Sequence, residues 1–184
     1  MKWLKIVVFL YITITMYADC KNYTKHERWE QISNQRIFSV SGLVHHKNGF
    51  LIVHDNKRDN QPRISFFKNN KISPLIWPDS SLPYDLEAIS IIPSFKNQYI
   101  LMESTGKCYK IKIEQRNNQI TLMNVFQLET NEGMNLEGCI IVKGNFGYKI
   151  MYGDRGSDLR KSTLFIGDFN PVNNNITNLI KHII

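Results

Sequence analysis

The chain has 184 residues, 23 of them basic and 16 acidic, for a formal charge of +7, and 42% of it is hydrophobic. That length supports one domain with a core of its own. Beyond Lys2 and Lys5, the basic residues are spread from Lys21 to Lys181 with no arginine-rich helix or dense run. This argues against a nucleic-acid-binding protein and leaves weak long-range attraction for a small anionic ligand.

Met1 to Lys5 is a short basic segment, and Ile6 to Tyr17 is almost uncharged and apolar. A run of about twelve residues suits the core of an export signal and is too short to cross a bilayer as a helix. Cleavage is expected after Ala18, although Met16 is bulky for its place. Residues 1–18 therefore read as a signal peptide, 19–37 as a lead-in and 38–184 as the domain. An uncleaved or lipid anchor is the alternative, and Asp19 before Cys20 fits a lipid-attachment box poorly. The expected location is secreted or periplasmic, with no stable membrane span. Loss of Lys2 and Lys5 takes the basic count from 23 to 21 and the charge to +5.

Cys20, Cys108 and Cys139 show no paired CxxC spacing, hence no zinc-ribbon signal. One disulfide is possible in an oxidising compartment, its pairing open. Cys108 and Cys139 fall in expected strands, where a free thiol acts as a small hydrophobe. Asn22-Tyr23-Thr24 and Asn175-Ile176-Thr177 match the glycosylation acceptor, which matters only in a secretory host.

From Phe38 onward, short β-branched and aromatic runs alternate with Gly, Asn, Asp and Pro. The expected strands are 38–45, 49–55, 63–68 and 71–77, then 86–92, 98–103, 107–114 and 119–128. A third set follows at 136–142, 148–153, 163–168 and 175–183. Two alternatives are a helical turn at 179–184 and a stray strand at 29–37. Asn69-Asn70, Asn117-Asn118 and Asn173-Asn174-Asn175 separate the third and fourth strands of each set. Asn tolerates the positive φ that tight hairpins demand.

The sets are copies. Asn135-Leu136-Glu137-Gly138-Cys139 repeats as Asp85-Leu86-Glu87-Ala88-Ile89 and, more weakly, as Val40-Ser41-Gly42-Leu43. Ser41, Glu87 and Glu137 advance by 46 and 50, while Asp55, Glu103 and Asp154 advance by 48 and 51. Periods in this range are those of four-stranded propeller blades. The expected fold is all-β: a partial β-propeller of about three four-stranded blades. Propellers close with about four to eight blades, so the chain reads as half of a six-bladed ring. A homodimer completing the ring is the expected partner; a shortened remnant or an open stack of sheets fits the same count.

First strands line a propeller's channel, so Glu87 and Glu137 should converge, with Asp85 and Asn135 beside them. Carboxylates and amide oxygens gathered in this way suit Ca²⁺ or Mg²⁺. The candidate metal ligands are Asp85, Glu87, Glu103, Glu137 and Asp154; the plainer reading has them accepting backbone N–H bonds between blades. Asp55, Glu103 and Asp154 end second strands and either rim one mouth or shape turns. The candidate ligand-binding residues are Glu87, Glu137 and Arg155, whose guanidinium suits an anion or a salt bridge to a carboxylate. His45, His46 and His54 lack a fourth ligand and read as surface or core residues. With no GxSxG, Walker loop, HExxH or GxGxxG, nucleophilic catalysis has no candidate.

Ser41-Gly42-Leu43, Asp85-Leu86-Glu87-Ala88-Ile89 and Leu136-Glu137-Gly138 together resemble the SdiA-regulated and phytase-like (esterase-like phytase) propellers. Val53-His54-Asp55, Leu101-Met102-Glu103-Ser104 and Asp154-Arg155-Gly156 resemble the acidic-ended second strands of those families. The resemblance covers Ser41 to about Asp168 and implies an exported six-bladed propeller binding Ca²⁺. The chain departs from it with Ala88 in place of Gly and about half the blades. Two functions are expected from these readings. One is a module that binds a ligand or partner; the other is a Ca²⁺-dependent phosphoester hydrolase.

Overall fold

The computed structural model describes residues 31–114 and 117–184. Residues 1–18, expected to be a signal peptide, Cys20 and the Asn22 glycosylation motif lie outside the described residues.

Twelve strands form three antiparallel four-stranded sheets, each in simple sequence order. Blade one is β1 (Gly42–His46), β2 (Gly49–Val53), β3 (Ile64–Lys68) and β4 (Lys71–Pro74). Blade two is β5 (Leu86–Ile91), β6 (Gln98–Glu103), β7 (Lys107–Ile113) and β8 (Ile120–Gln127). Blade three is β9 (Leu136–Gly144), β10 (Gly147–Asp154), β11 (Thr163–Asn170) and β12 (Asn175–Ile183). The three-blade, all-β expectation holds.

The hairpins turn where the sequence marked them. Asn69, Asn70, Asn118 and Asn174 have φ of +49°, +56°, +55° and +60°, which asparagine adopts at little cost. Departures are local. Phe38 ends a 3-10 turn, Arg36–Phe38, rather than opening a strand. β4 stops at Pro74, which has no N–H to continue a ladder. Residues 179–183 extend β12 instead of forming a helical turn, and residues 32–37 contain no strand.

Burial explains the stacking. Tyr99 to Glu103 in β6 are buried without a break, as in a strand covered on both faces. β9 alternates, with Ile141 buried and Ile140 and Val142 exposed, as in a strand covered on one. Blade two is thus the middle layer. Leu51, Val53 and Ile64 meet Leu101, Tyr109 and Ile111 in one core, where Trp77 packs edge-on against Tyr109. Ile100, Met102 and Cys108 meet Ile150, Tyr152 and Phe165 in a second. There Tyr152 stacks on Phe165 with centroids 4.7 Å apart. Cys108 and Cys139 are free thiols at this second seam, and burial pushes the Cys139 thiol up to about 12.

Register corrects one repeat position. Val53, Met102 and Gly153 pair with Gly42, Ala88 and Gly138, so His54, not Asp55, matches Glu103 and Asp154. The bonds agree. His54 Nδ1 lies 2.9 Å from Ser39 O, while Glu103 accepts from Tyr84 N and Asp154 from Asn135 N. Each side chain fastens the second strand to the segment entering the first. The fixed acidic sign suggested by Asp55 was a neighbour of the true position.

Candidate functional site

Glu87 and Glu137 are both bulge residues. Leu86 and Ala88 pair with Glu103 and Met102, leaving Glu87 without a cross-strand partner. Leu136 and Gly138 pair with Asp154 and Gly153, leaving Glu137 in the same state. A bulge turns its extra residue out of the ladder and re-aims the side chain. Blade one has Ser41 at this place, and its Oγ donates to Leu86 O at 2.6 Å, joining the first strands of blades one and two. Strands β1, β5 and β9 are successive neighbours, so the two glutamates lie on adjacent inner strands.

The carboxylates share a field. Burial, then Glu137, Asp85 and Asp55, push the Glu87 carboxyl up to about 7, with Lys57 opposing. Among the described residues, no hydrogen bond or ion pair reaches Glu87. Glu137 is engaged: its Oε1 accepts from Asn135 Nδ2 and pairs with Arg155 at 3.2 Å. Arg155 therefore serves a carboxylate of its own blade through Nη1, and its side chain is otherwise largely exposed. Asp85, in the left-handed region at φ +58°, accepts from Ser104 Oγ at 2.8 Å and pairs with Lys57 at 3.0 Å.

Glu103 and Asp154 stand apart from this group. Glu103 Oε1 accepts from Tyr84 N at 2.7 Å and Tyr109 Oη at 2.5 Å, while Oε2 accepts from Thr105. Asp154 is gripped by Arg160 through both oxygens and by Asn135 N at 2.9 Å. The Arg160 guanidinium beside it holds its carboxyl below the usual range. These two carboxylates are braces, which leaves few free lone pairs for a metal.

Calcium asks for roughly six to eight oxygens. Among the described residues, no three His, Cys, Asp or Glu side chains form a metal-holding group. The five carboxylates expected as ligands divide into Asp85, Glu87 and Glu137 on one side and the two braces on the other. Only Glu87 is unengaged, and Glu137 already carries a guanidinium. As this chain arranges them, the donors do not fit a resident Ca²⁺.

The histidines are structural. His46 Nδ1 meets Tyr99 Oη at 2.6 Å across the first seam, and His54 Nε2 meets Ser65 Oγ at 2.8 Å. His45 is exposed and edges Phe50. Sequence reasoning missed Arg36 and Lys57. Arg36 holds both oxygens of Asp55 at 2.9 and 2.8 Å, and Lys57 balances Asp85. No spacing announces either pair, because the partners come from separate segments.

No family model and no curated protein matches the chain. Among solved structures, the chain is similar to the Pan2 WD40 domain of Neurospora crassa, with a TM-score of 0.50 and 12% identity. The match covers 77% of this chain and 35% of that one. The fold is that of a β-propeller in part. At this identity the likeness shows fold alone, and the chain spans about a third of the length of that domain. The propeller's inner strands carry the glutamate pair, and its braces hold each blade's entry. Among the described residues no helix is long and apolar enough to cross a membrane.

Proposed function

We propose that this chain is an exported propeller module that binds a ligand or partner at the Glu87–Glu137 cluster, without turnover. The observation that supports it is Glu87 itself, a half-buried carboxylate at about 7 that no donor of the described residues satisfies. A carboxylate that no protein donor engages, beside two others, favours a cation or a donor-rich ligand. The inner-strand motifs through Glu87 and Glu137 also support membership of the SdiA-regulated or phytase-like families. The apolar run at Ile6–Tyr17 supports export.

The phytase-like alternative has Ca²⁺ polarise a phosphoester for attack by water. The shortage of free donors weighs against it. Titration of the full chain with spermidine is expected to give heat that Glu87→Gln abolishes, while CaCl₂ is expected to give none. p-Nitrophenyl phosphate is expected to survive with or without EGTA. Metal-dependent turnover that Glu87→Gln or Glu137→Gln removes would overturn the binding reading in favour of hydrolysis.

A further inference from the structure

Strands alternate in direction within each blade, so the hairpins of a blade share one end. These are 47–48 and 69–70, then 92–97 and 117–119, then 145–146 and 171–174. Bonds across both seams join hairpin to hairpin, which puts all three sets at the same end of the stack. Lys47 Nζ donates to Asn118 Oδ1 at 2.7 Å, and Lys143 Nζ donates to Ser94 Oγ at 3.1 Å. The buried Lys110 sends its Nζ to Pro171 O at 2.5 Å.

Charge is divided between the two ends. The hairpin end carries Lys47, Lys68, Lys71, Lys96 and Lys143, and its carboxylates among the described residues are Glu114 and Asp168. Lys112 takes the first at 3.3 Å and Lys149 the second at 2.7 Å. Among the described residues, no carboxylate pairs with Lys68, Lys71, Lys96 or Lys143. The other described carboxylates lie toward the opposite end with Glu87 and Glu137, mixed with Arg58, Arg155 and Arg160. Lysines spread along the sequence are gathered by the meander, which returns every second turn to one end.

Apolar side chains stand among these lysines. Phe146 is fully exposed and Val172 is 76% exposed, at the two hairpin tips of blade three. β10 and β11 are neighbours, so the tips stand about 10 Å apart, two strand spacings.

We propose that the hairpin end docks on a bilayer of anionic lipid, its lysines on the headgroups and Phe146 and Val172 in the acyl boundary. A basic patch gains attraction to an anionic leaflet lysine by lysine, and apolar tips add anchoring that salt does not screen. Val172 has nothing to give a nucleic acid, which takes stacking rings and phosphate donors. The acidic end with Glu87 then faces away from the lipid.

Co-sedimentation of the full chain with phosphatidylcholine vesicles, with and without phosphatidylserine, tests this. Vesicles with phosphatidylserine are expected to bind more of the protein, and to release it as salt rises. Lys71→Gln and Lys96→Gln are each expected to weaken that binding about fivefold, and Phe146→Ser about tenfold. Lys161→Gln, in the loop at the opposite end, leaves it unchanged. All four side chains are exposed, so melting temperatures are expected to match the wild type. The apolar run at Ile6–Tyr17 is common to every variant, so differences between them read the hairpin end. Equal binding with and without phosphatidylserine overturns the proposal, as does a loss on Lys161→Gln equal to that on Lys96→Gln. So does a single-stranded oligothymidylate that binds through Lys96 while the vesicles do not bind.

Discussion

At the scale of single residues, Glu87 is under electrostatic strain. Its carboxyl titrates at about 7 against an ordinary 4.5, so the folded state resists its ionisation. The contribution to stability is complete below pH 4.5 and is lost as pH rises through 7. The bare shift overstates the energy, because the half-exposed group is screened by solvent. Glu87→Gln is therefore expected to stabilise the fold by about 1 kcal/mol at pH 8 and to leave it unchanged at pH 4. Urea unfolding at the two pH values measures this, and equal effects at both would remove the strain argument. Asp154 is the opposite case. Its side chain is fully buried, and Arg160 and Asn135 N satisfy it. Asp154→Ala strips Asn135 N of its acceptor and leaves Arg160 with Gly133 O, and it is expected to cost about 3 kcal/mol. Asp55→Ala loses a pair whose arginine is 70% exposed, and about 1 kcal/mol or less is expected.

At the scale of elements, each blade is a meander whose second strand is tied to the entry of its first. His54, Glu103 and Asp154 perform this one task with different chemistry, accepting or donating as the entry segment requires. Glu103→Gln keeps the shape but loses an ionised acceptor for Tyr84 N and Tyr109 Oη. A loss of about 1–2 kcal/mol is expected, with hydrogen exchange rising first in Tyr84 and the start of β5. Uniform acceleration across all three blades would instead mean that the brace has no local role. The bulges at Glu87 and Glu137 belong to this scale too, since they decide which way the glutamates face.

At the scale of the whole molecule, stability is a matter of seams. Blade two is sealed on both faces and blade three on one, while in blade one Leu51 to His54 are also buried without a break. The two glycines at equivalent places make a paired test. Gly42→Val drives a branched side chain into Ile89 N and Ala88 Cα, and about 2 kcal/mol of destabilisation is expected. Gly138→Val meets open space within the chain and is expected to leave stability within about 0.5 kcal/mol. Urea unfolding of the two variants measures the difference, and equal losses would remove the distinction between the two glycines.

The repeat, the strand boundaries in blade two, the asparagine turns and the count of three blades follow from sequence alone. They depend on local pattern: period-two apolar residues, β-branched runs and side chains that accept positive φ. The grouping of Glu87 with Glu137 was also legible, because equivalent residues of neighbouring repeats sit together. Three things were not. Asp55 seemed to match Glu103 until the ladder showed His54 there, a one-residue slip that spacing cannot detect when loops vary in length. Glu103 and Asp154 looked like metal ligands until their donors, Tyr84, Tyr109, Asn135 and Arg160, arrived from other segments to engage them. And the exposure of Ile140 beside the burial of Ile141 reflects which blade stands where. Chain pattern sets which residues share a face; only the stacking of sheets decides which faces are covered and which carboxylate is left without a partner.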